Sequence, residues 1–161
     1  MDLAKLRVNQ LSAEVWAWYQ DYLDALDAYD MDRYAAFLAE DVAVQFNNDP
    51  PMRGRQEAVT GLGRFWGAVS GLGYTLLHEP LTIYGDDRGF VLEALNHYDS
   101  ADRARITVRA AAFTDRGDDG RVTSVRLYQD VSPLFAAAPG AGASGAGHDA
   151  LITAELVLRR Q

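Results

Sequence analysis

Helices first and strands after them predict an α+β fold, with three N-terminal helices packed on one face of a curved, mostly antiparallel sheet. Three observations carry this. Residues 12–69 place apolar side chains mainly at helical spacing, and residues 74–135 turn to β-type composition. The later runs are joined by short turns, Gly85-Asp-Asp-Arg-Gly89, Asp99-Ser-Ala-Asp-Arg103 and Asp115-Arg-Gly-Asp-Asp-Gly120, which suit an antiparallel meander. At 161 residues the chain supports one good core and is too short for two.

The first helix opens at Ser12, an N-cap residue, with Glu14 favouring the positive helix end. Val15, Tyr19, Tyr22, Leu26 and Tyr29 form its buried stripe, widened by Trp16 and Leu23, while Gln20, Asp21, Asp24 and Asp27 face water. Asp30 caps a second helix, Asp32 to Ala39, with Tyr34, Phe37 and Leu38 turned inward. Val42–Phe46 reads as a short strand, broken by the turn residues Asn47-Asn-Asp-Pro-Pro51. A third helix runs from near Arg55 to about Val69, anchored by Phe65, Trp66 and Val69. Gly61 and Gly63 inside it each cost roughly 1 kcal/mol relative to alanine.

Strands are then expected at Tyr74–Tyr84, with Pro80 marking an edge or bulge, at Phe90–Tyr98 and at Arg105–Thr114. The last strand begins at Val122 and carries Asp130 toward its end, before Ser132 and Pro133 stop the ladder. Ala136 to Gly147 is an Ala/Gly/Pro/Ser run, too poor in apolar surface to order itself. The expected organisation is a domain over 1–135, a linker over 136–149 and a tail over 150–161.

Composition excludes several classes. The net charge of -8 argues against nucleic-acid or anionic-membrane partners. With no cysteine there is no disulfide, thiolate nucleophile or Cys-based zinc site. His78, His97 and His148 are too scattered to assemble a metal site, and His78-Glu79 reads as a solvated edge-strand pair. No cofactor fingerprint occurs. The charged N-terminus lacks the apolar run of a signal peptide, and no run reaches the roughly 18–20 apolar residues of a membrane span, so a cytoplasmic protein is expected.

Tyr22-Leu-Asp-Ala-Leu-Asp-Ala-Tyr-Asp-Met-Asp32, Phe37-Leu-Ala-Glu-Asp-Val-Ala-Val44 and Pro50-Pro-Met-Arg-Gly-Arg-Gln-Glu57, followed by a helix and the meander, resemble the SnoaL-like branch of the nuclear transport factor 2-like superfamily. The resemblance covers about residues 10–135. It implies a cone-shaped, cystatin-like fold with a pocket at the open end, and a homodimer, commonly through the outer sheet face. Against ketosteroid isomerases, the first-helix tyrosine falls on Tyr22, but the base falls on Phe46 and the second oxyanion donor on Ala110. Against limonene epoxide hydrolases, one aspartate falls on Asp130. The arginine then falls on Ala94, the acid on Asn96, and the water-holding pair on Val44 and Phe46. In SnoaL-type cyclases the acid/base position falls, ungapped, on Leu127.

The expected site is therefore Asp130 as acid/base, in a pocket formed by Tyr22, Phe46, Trp66, Asn96, Ala110 and Ala112, taking a small apolar organic ligand. Cofactor-free isomerase, cyclase or hydrolase chemistry is one reading. A non-catalytic ligand-binding or dimerisation module is the other. For Asp130 itself, the competing account is a strand-end carboxylate that accepts from a backbone N–H or pairs with Arg109 or Arg126.

Overall fold

The structure, a computed structural model, describes residues 10–136. It is α+β, with the elements α1 (Ala13–Asp27), α2 (Met31–Ala36), β1 (Leu38–Phe46), β2 (Met52–Arg53), α3 (Arg55–Gly71), β3 (Thr75–Asp86), β4 (Gly89–Asp99), β5 (Ile106–Arg116), β6 (Val122–Gln129) and α4 (Ser132–Ala136). The strands form one curved six-stranded sheet in the order β2-β1-β6-β5-β4-β3. β3 to β6 make the antiparallel meander, and β1 closes onto β6 in parallel. No helix among the described residues is long and apolar enough to cross a membrane.

Ser12 caps α1 as its sequence suggests, its side chain accepting from the Val15 amide at 3.1 Å, and Asp30 caps α2 through the Arg33 amide at 2.9 Å. The buried face of α1 stacks its rings: Tyr19 lies 5.2 Å from Tyr22 and 4.7 Å, edge-on, from Phe90. In α3, Phe65, Trp66 and Val69 are buried. Gly61 has a specific reason to be there, because a Cβ would overlap the Met52 sulfur from β2. A local helix penalty is thus exchanged for the packing of α3 on the sheet edge.

The chain departs from its sequence reading at three points. Helix α2 stops at Ala36, and Leu38 already pairs with Val122, so a long-range ladder takes residues whose local pattern suited a helix. A two-residue strand, β2, follows the turn of residues 47–51. Pro80, by contrast, marks an edge strand with a bulge as its sequence suggests, the register shifting between Pro80 and Thr82. Finally, β6 ends at Gln129, and residues 132–136 turn into α4. Apart from Ala136, the expected linker and tail fall outside the described residues.

Candidate functional site

Sheet register decides which side chains meet under the helices. Phe46, Leu127, Ala112 and Leu92 form one row across the sheet, and Gln129, Ala110, Ala94 and Pro80 the next. Val108, Asn96 and His78 form a third row, and Ile106, Tyr98 and Leu76 a fourth. Burial of Leu92, Ala94, Asn96 and Tyr98 against the helix layer shows that this is the inner face. Alternation then sends Val91, Glu93, Leu95, Arg109, Phe113 and Tyr128 to the outer face.

Within the inner face, Asn96 is 2% exposed and Gln129 8%, and the Asn96 Nδ2 donates to Gln129 Oε1 at 2.9 Å. Asn47 fixes Gln129 from beyond the end of β1. Its Nδ2 donates to the Gln129 carbonyl at 2.9 Å, and its Oδ1 accepts from the Gln129 amide at 3.0 Å. An asparagine side chain thereby supplies the ladder rung that β1 leaves out, from a positive φ of 49° that asparagine tolerates well.

Beside this pair lies a dyad. His78 Nδ1 sits 2.5 Å from Asp27 Oδ1, and the His78 amide donates to Asp27 Oδ2 at 3.1 Å. Their side chains are 10% and 20% exposed. An ionised carboxylate only accepts, so Nδ1 carries a hydrogen, and in the neutral imidazole Nε2 is the nitrogen with the lone pair. Nε2 has no hydrogen-bond partner among the described residues. Tyr98 is near enough to Asp27 and Tyr29 to be influenced by both. Burial first, then these neighbours, raise its pKa well above the ordinary phenol value, and so keep it a proton donor. The Asn96 and Gln129 amides approach its hydroxyl and oppose that rise, without forming an ordinary hydrogen bond to it.

Aromatics wall the cluster. Phe65 lies 6.3 Å from Phe46 and 4.7 Å from Trp66, and Tyr29 stacks on Trp66 at 5.6 Å. Tyr29 occupies the C′ position of α1 at a φ of 55°, where glycine is usual. Its amide bonds to the Leu26 carbonyl and that of Asp30 to the Ala25 carbonyl, which is the Schellman pattern. The bulky ring is retained there despite the strain, and its hydroxyl donates to the Tyr74 carbonyl at 3.0 Å. Burial pushes the Tyr29 hydroxyl up to about 12, with Asp27 adding to the rise. The buried polar atoms Trp66 Nε1, Tyr74 OH, Asn96 Oδ1 and Tyr98 OH have no hydrogen-bond partner among the described residues, an unusual concentration for a core.

The expected site residues divide. Phe46, Trp66, Asn96, Ala110 and Ala112 lie on the inner walls, as the rows and ring contacts describe. Tyr22 belongs elsewhere, packed with Trp18, Tyr19, Tyr34 and Phe37, with a 3.5 Å hydroxyl contact to Tyr34. Asp130 does not point inward. Register puts Leu127 and Gln129 on the inner rows, so alternation turns Asp130 away, and it is exposed, its Oδ1 accepting from the Ser132 amide at 3.0 Å. Bonds from the Ser132 hydroxyl and amide hold its carboxyl below the usual range. The backbone-capping account of this residue is the one its geometry fits. His78 and Glu79 are not a pair either: they face opposite sides, with Glu79 accepting from His97 Nε2 at 2.7 Å.

Sequence reasoning missed Asp27 and His78. Asp27 was assigned to the wet face of α1, and only the sheet curling past the helix end gives it a partner. A signal for His78 did exist, since period-two alternation groups it with Tyr74 and Leu76 and against Glu79. Two grooves lie away from this cluster. One of about 430 Å³ on the outer face is lined by residues including Tyr84, Glu93, Arg109 and Tyr128. Another of about 380 Å³ lies beside the start of α1.

The SnoaL-like domain family matches residues 19–125. No curated protein sequence matches the chain at a significant level. Among solved structures, the chain is similar to an LEH-like epoxide hydrolase of M. tuberculosis, with 21% identity over 92% of this chain and 97% of that one and a TM-score of 0.59. A provisionally assigned polyketide cyclase of Xanthomonas campestris shares 24% identity over 76% and 94%, with a TM-score of 0.61. A provisionally assigned SnoaL-like polyketide cyclase of Jannaschia shares 12% over 82% and 96%, with a TM-score of 0.65. At these identities the likeness establishes the fold alone.

Proposed function

This chain belongs to the SnoaL-like domain family, and from that footing we propose that it is a cofactor-free acid/base catalyst acting on a small organic carbonyl compound at the inner face of the sheet. The observation that carries the reading is the hydrogen bond between Asp27 and His78 beside a cluster of buried, unpartnered polar atoms. His78 Nε2 takes a proton from carbon next to the carbonyl, and the electron pair moves onto the carbonyl oxygen. Tyr98 and the Asn96 amide are the donors available to that oxygen. Return of the proton to another carbon gives isomerisation, and attack of the enolate on a second carbonyl gives cyclisation. Asp27 orients the imidazole and stabilises its protonated form. The test is proton-to-deuterium exchange at the α-carbon of a panel of small apolar ketones, followed by NMR. Acceleration by the native protein that vanishes in His78→Gln supports the reading, and equal exchange by both sinks it. Asp130→Asn should leave that exchange within about twofold of native, since asparagine caps a helix as well as aspartate does.

A second feature supports self-association. Leu77, Leu81, Tyr84, Phe113 and Tyr128 are large apolar residues exposed on or beside the outer sheet face, flanked by the Glu93–Arg109 ion pair. We propose that a second copy of the chain covers them, giving a homodimer. Light scattering should return a dimer mass for the native chain and a monomer mass for Phe113→Asp. A native monomer would dismiss the proposal.

A further inference from the structure

The loop between β4 and β5 carries an arginine that the dyad mechanism leaves unused. Arg103 makes no ion pair or hydrogen bond with another described residue, and its Nη1 is buried without an acceptor. Its guanidinium carbon stands 5.7 Å above the Tyr74 ring. Every other arginine that packs on an aromatic ring among the described residues does so elsewhere, Arg116 on Trp18 and Arg126 on Phe113. The hydroxyl of the same Tyr74 is also buried and has no partner among the described residues. A desolvated guanidinium nitrogen and a desolvated phenol are each left without an acceptor among the described residues, an arrangement that costs stability unless an anion uses it.

The same two residues are connected to the candidate site. Tyr74 immediately precedes β3, two residues before Leu76 and four before His78, and is buried. Strand geometry puts Tyr74 and His78 about 13 Å apart at their backbones. Between them lie Leu76, the buried Tyr98 that pairs with it, and the Tyr29 ring that bonds to the Tyr74 carbonyl. The side chains along this stretch are apolar and aromatic, with a cation at one end and the histidine dyad at the other.

We propose that Arg103 and the Tyr74 hydroxyl bind a carboxylate, so that the substrate is a small organic acid whose apolar body runs along β3 and presents its reactive carbon to His78. The inference rests on the reading of the inner face as a ligand site, and it narrows the substrate from a neutral apolar molecule to an amphiphilic acid. Guanidinium and carboxylate pair through charge-assisted hydrogen bonds, which neither an ester nor an amide reproduces. Arg103 is a specificity residue here, separate from the group that moves the proton.

The test uses the full chain at neutral pH with phenylacetate, 3-phenylpropionate and 4-phenylbutyrate, each beside its primary amide. Binding is followed through the Trp66 indole N–H signal and by calorimetry. At least one acid should bind about tenfold or more tightly than its amide. That preference should weaken with salt, disappear in Arg103→Gln and return in part in Arg103→Lys, while amide affinity stays unchanged in all three proteins. Equal affinity for acids and amides in the native chain, or a preference that survives Arg103→Gln, would overturn the assignment of Arg103 and leave the ligand site standing. If neither acids nor amides move the Trp66 signal, the ligand site and the carboxylate proposal fall together.

Discussion

Replacing His78 by glutamine is expected to slow α-proton exchange by two to four orders of magnitude while the fold survives. General-base catalysis by a positioned side chain contributes about 10²–10⁴ in rate, and glutamine has a similar reach without a basic nitrogen. The His78 amide can still donate to Asp27, which now holds it at 3.1 Å, so the backbone stays in register. Asp27→Asn should lose nearly as much by a different route. Its side-chain oxygen can keep the bond to the His78 amide, but its NH₂ would donate to Nδ1 and move the hydrogen to Nε2, removing the lone pair from the reacting side. Far-UV circular dichroism and a melting curve separate this from unfolding. A loss below threefold in both variants would remove the dyad from the mechanism.

Asn47→Ala is expected to destabilise the chain by about 2–4 kcal/mol, and to lower Tm by roughly 5–15 °C. Two hydrogen bonds to the Gln129 backbone disappear, each worth about 1 kcal/mol. Alanine also tolerates the positive φ poorly, adding about 1 kcal/mol. Asn47→Gly keeps the backbone freedom and loses only the bonds, so it should fall between alanine and native. Because these bonds fix Gln129, and Gln129 holds Asn96, both variants should also broaden the Asn96 side-chain amide signals. A denaturant midpoint for Asn47→Ala equal to the native one would show that the rung carries no weight.

Element type was legible in the sequence wherever one periodicity ran unopposed. The stripe Val15–Tyr19–Tyr22–Leu26 and the four runs between Tyr74 and Gln129 each bury one face, and side-chain spacing reports that directly. Boundaries were less legible where a distant strand competed with local preference. Leu38 looks helical beside Tyr34 and Phe37, yet it pairs with Val122, a partner 84 positions away that no local window contains. At the end of β6 the error was one of parity, since a strand alternates its faces every residue. That step exchanged Asp130 for Gln129 at the inner face and put the carboxylate in water.

What the chain order settles alone is the α+β class, the aromatic core and the absence of cysteine chemistry, because these depend on composition and local period. The site depends on which face each strand turns inward and on what lies opposite, and those are properties of register and curvature. Asp27 and His78 are 51 residues apart and individually unremarkable, one a polar residue at a helix end and the other a neighbour of an acid on an edge strand. Only the curl of β3 past the end of α1 brings the carboxylate within hydrogen-bond reach of the imidazole. A hydrogen bond acts over about 3 Å, whereas sequence spacing beyond one helical turn or strand pair carries no distance information.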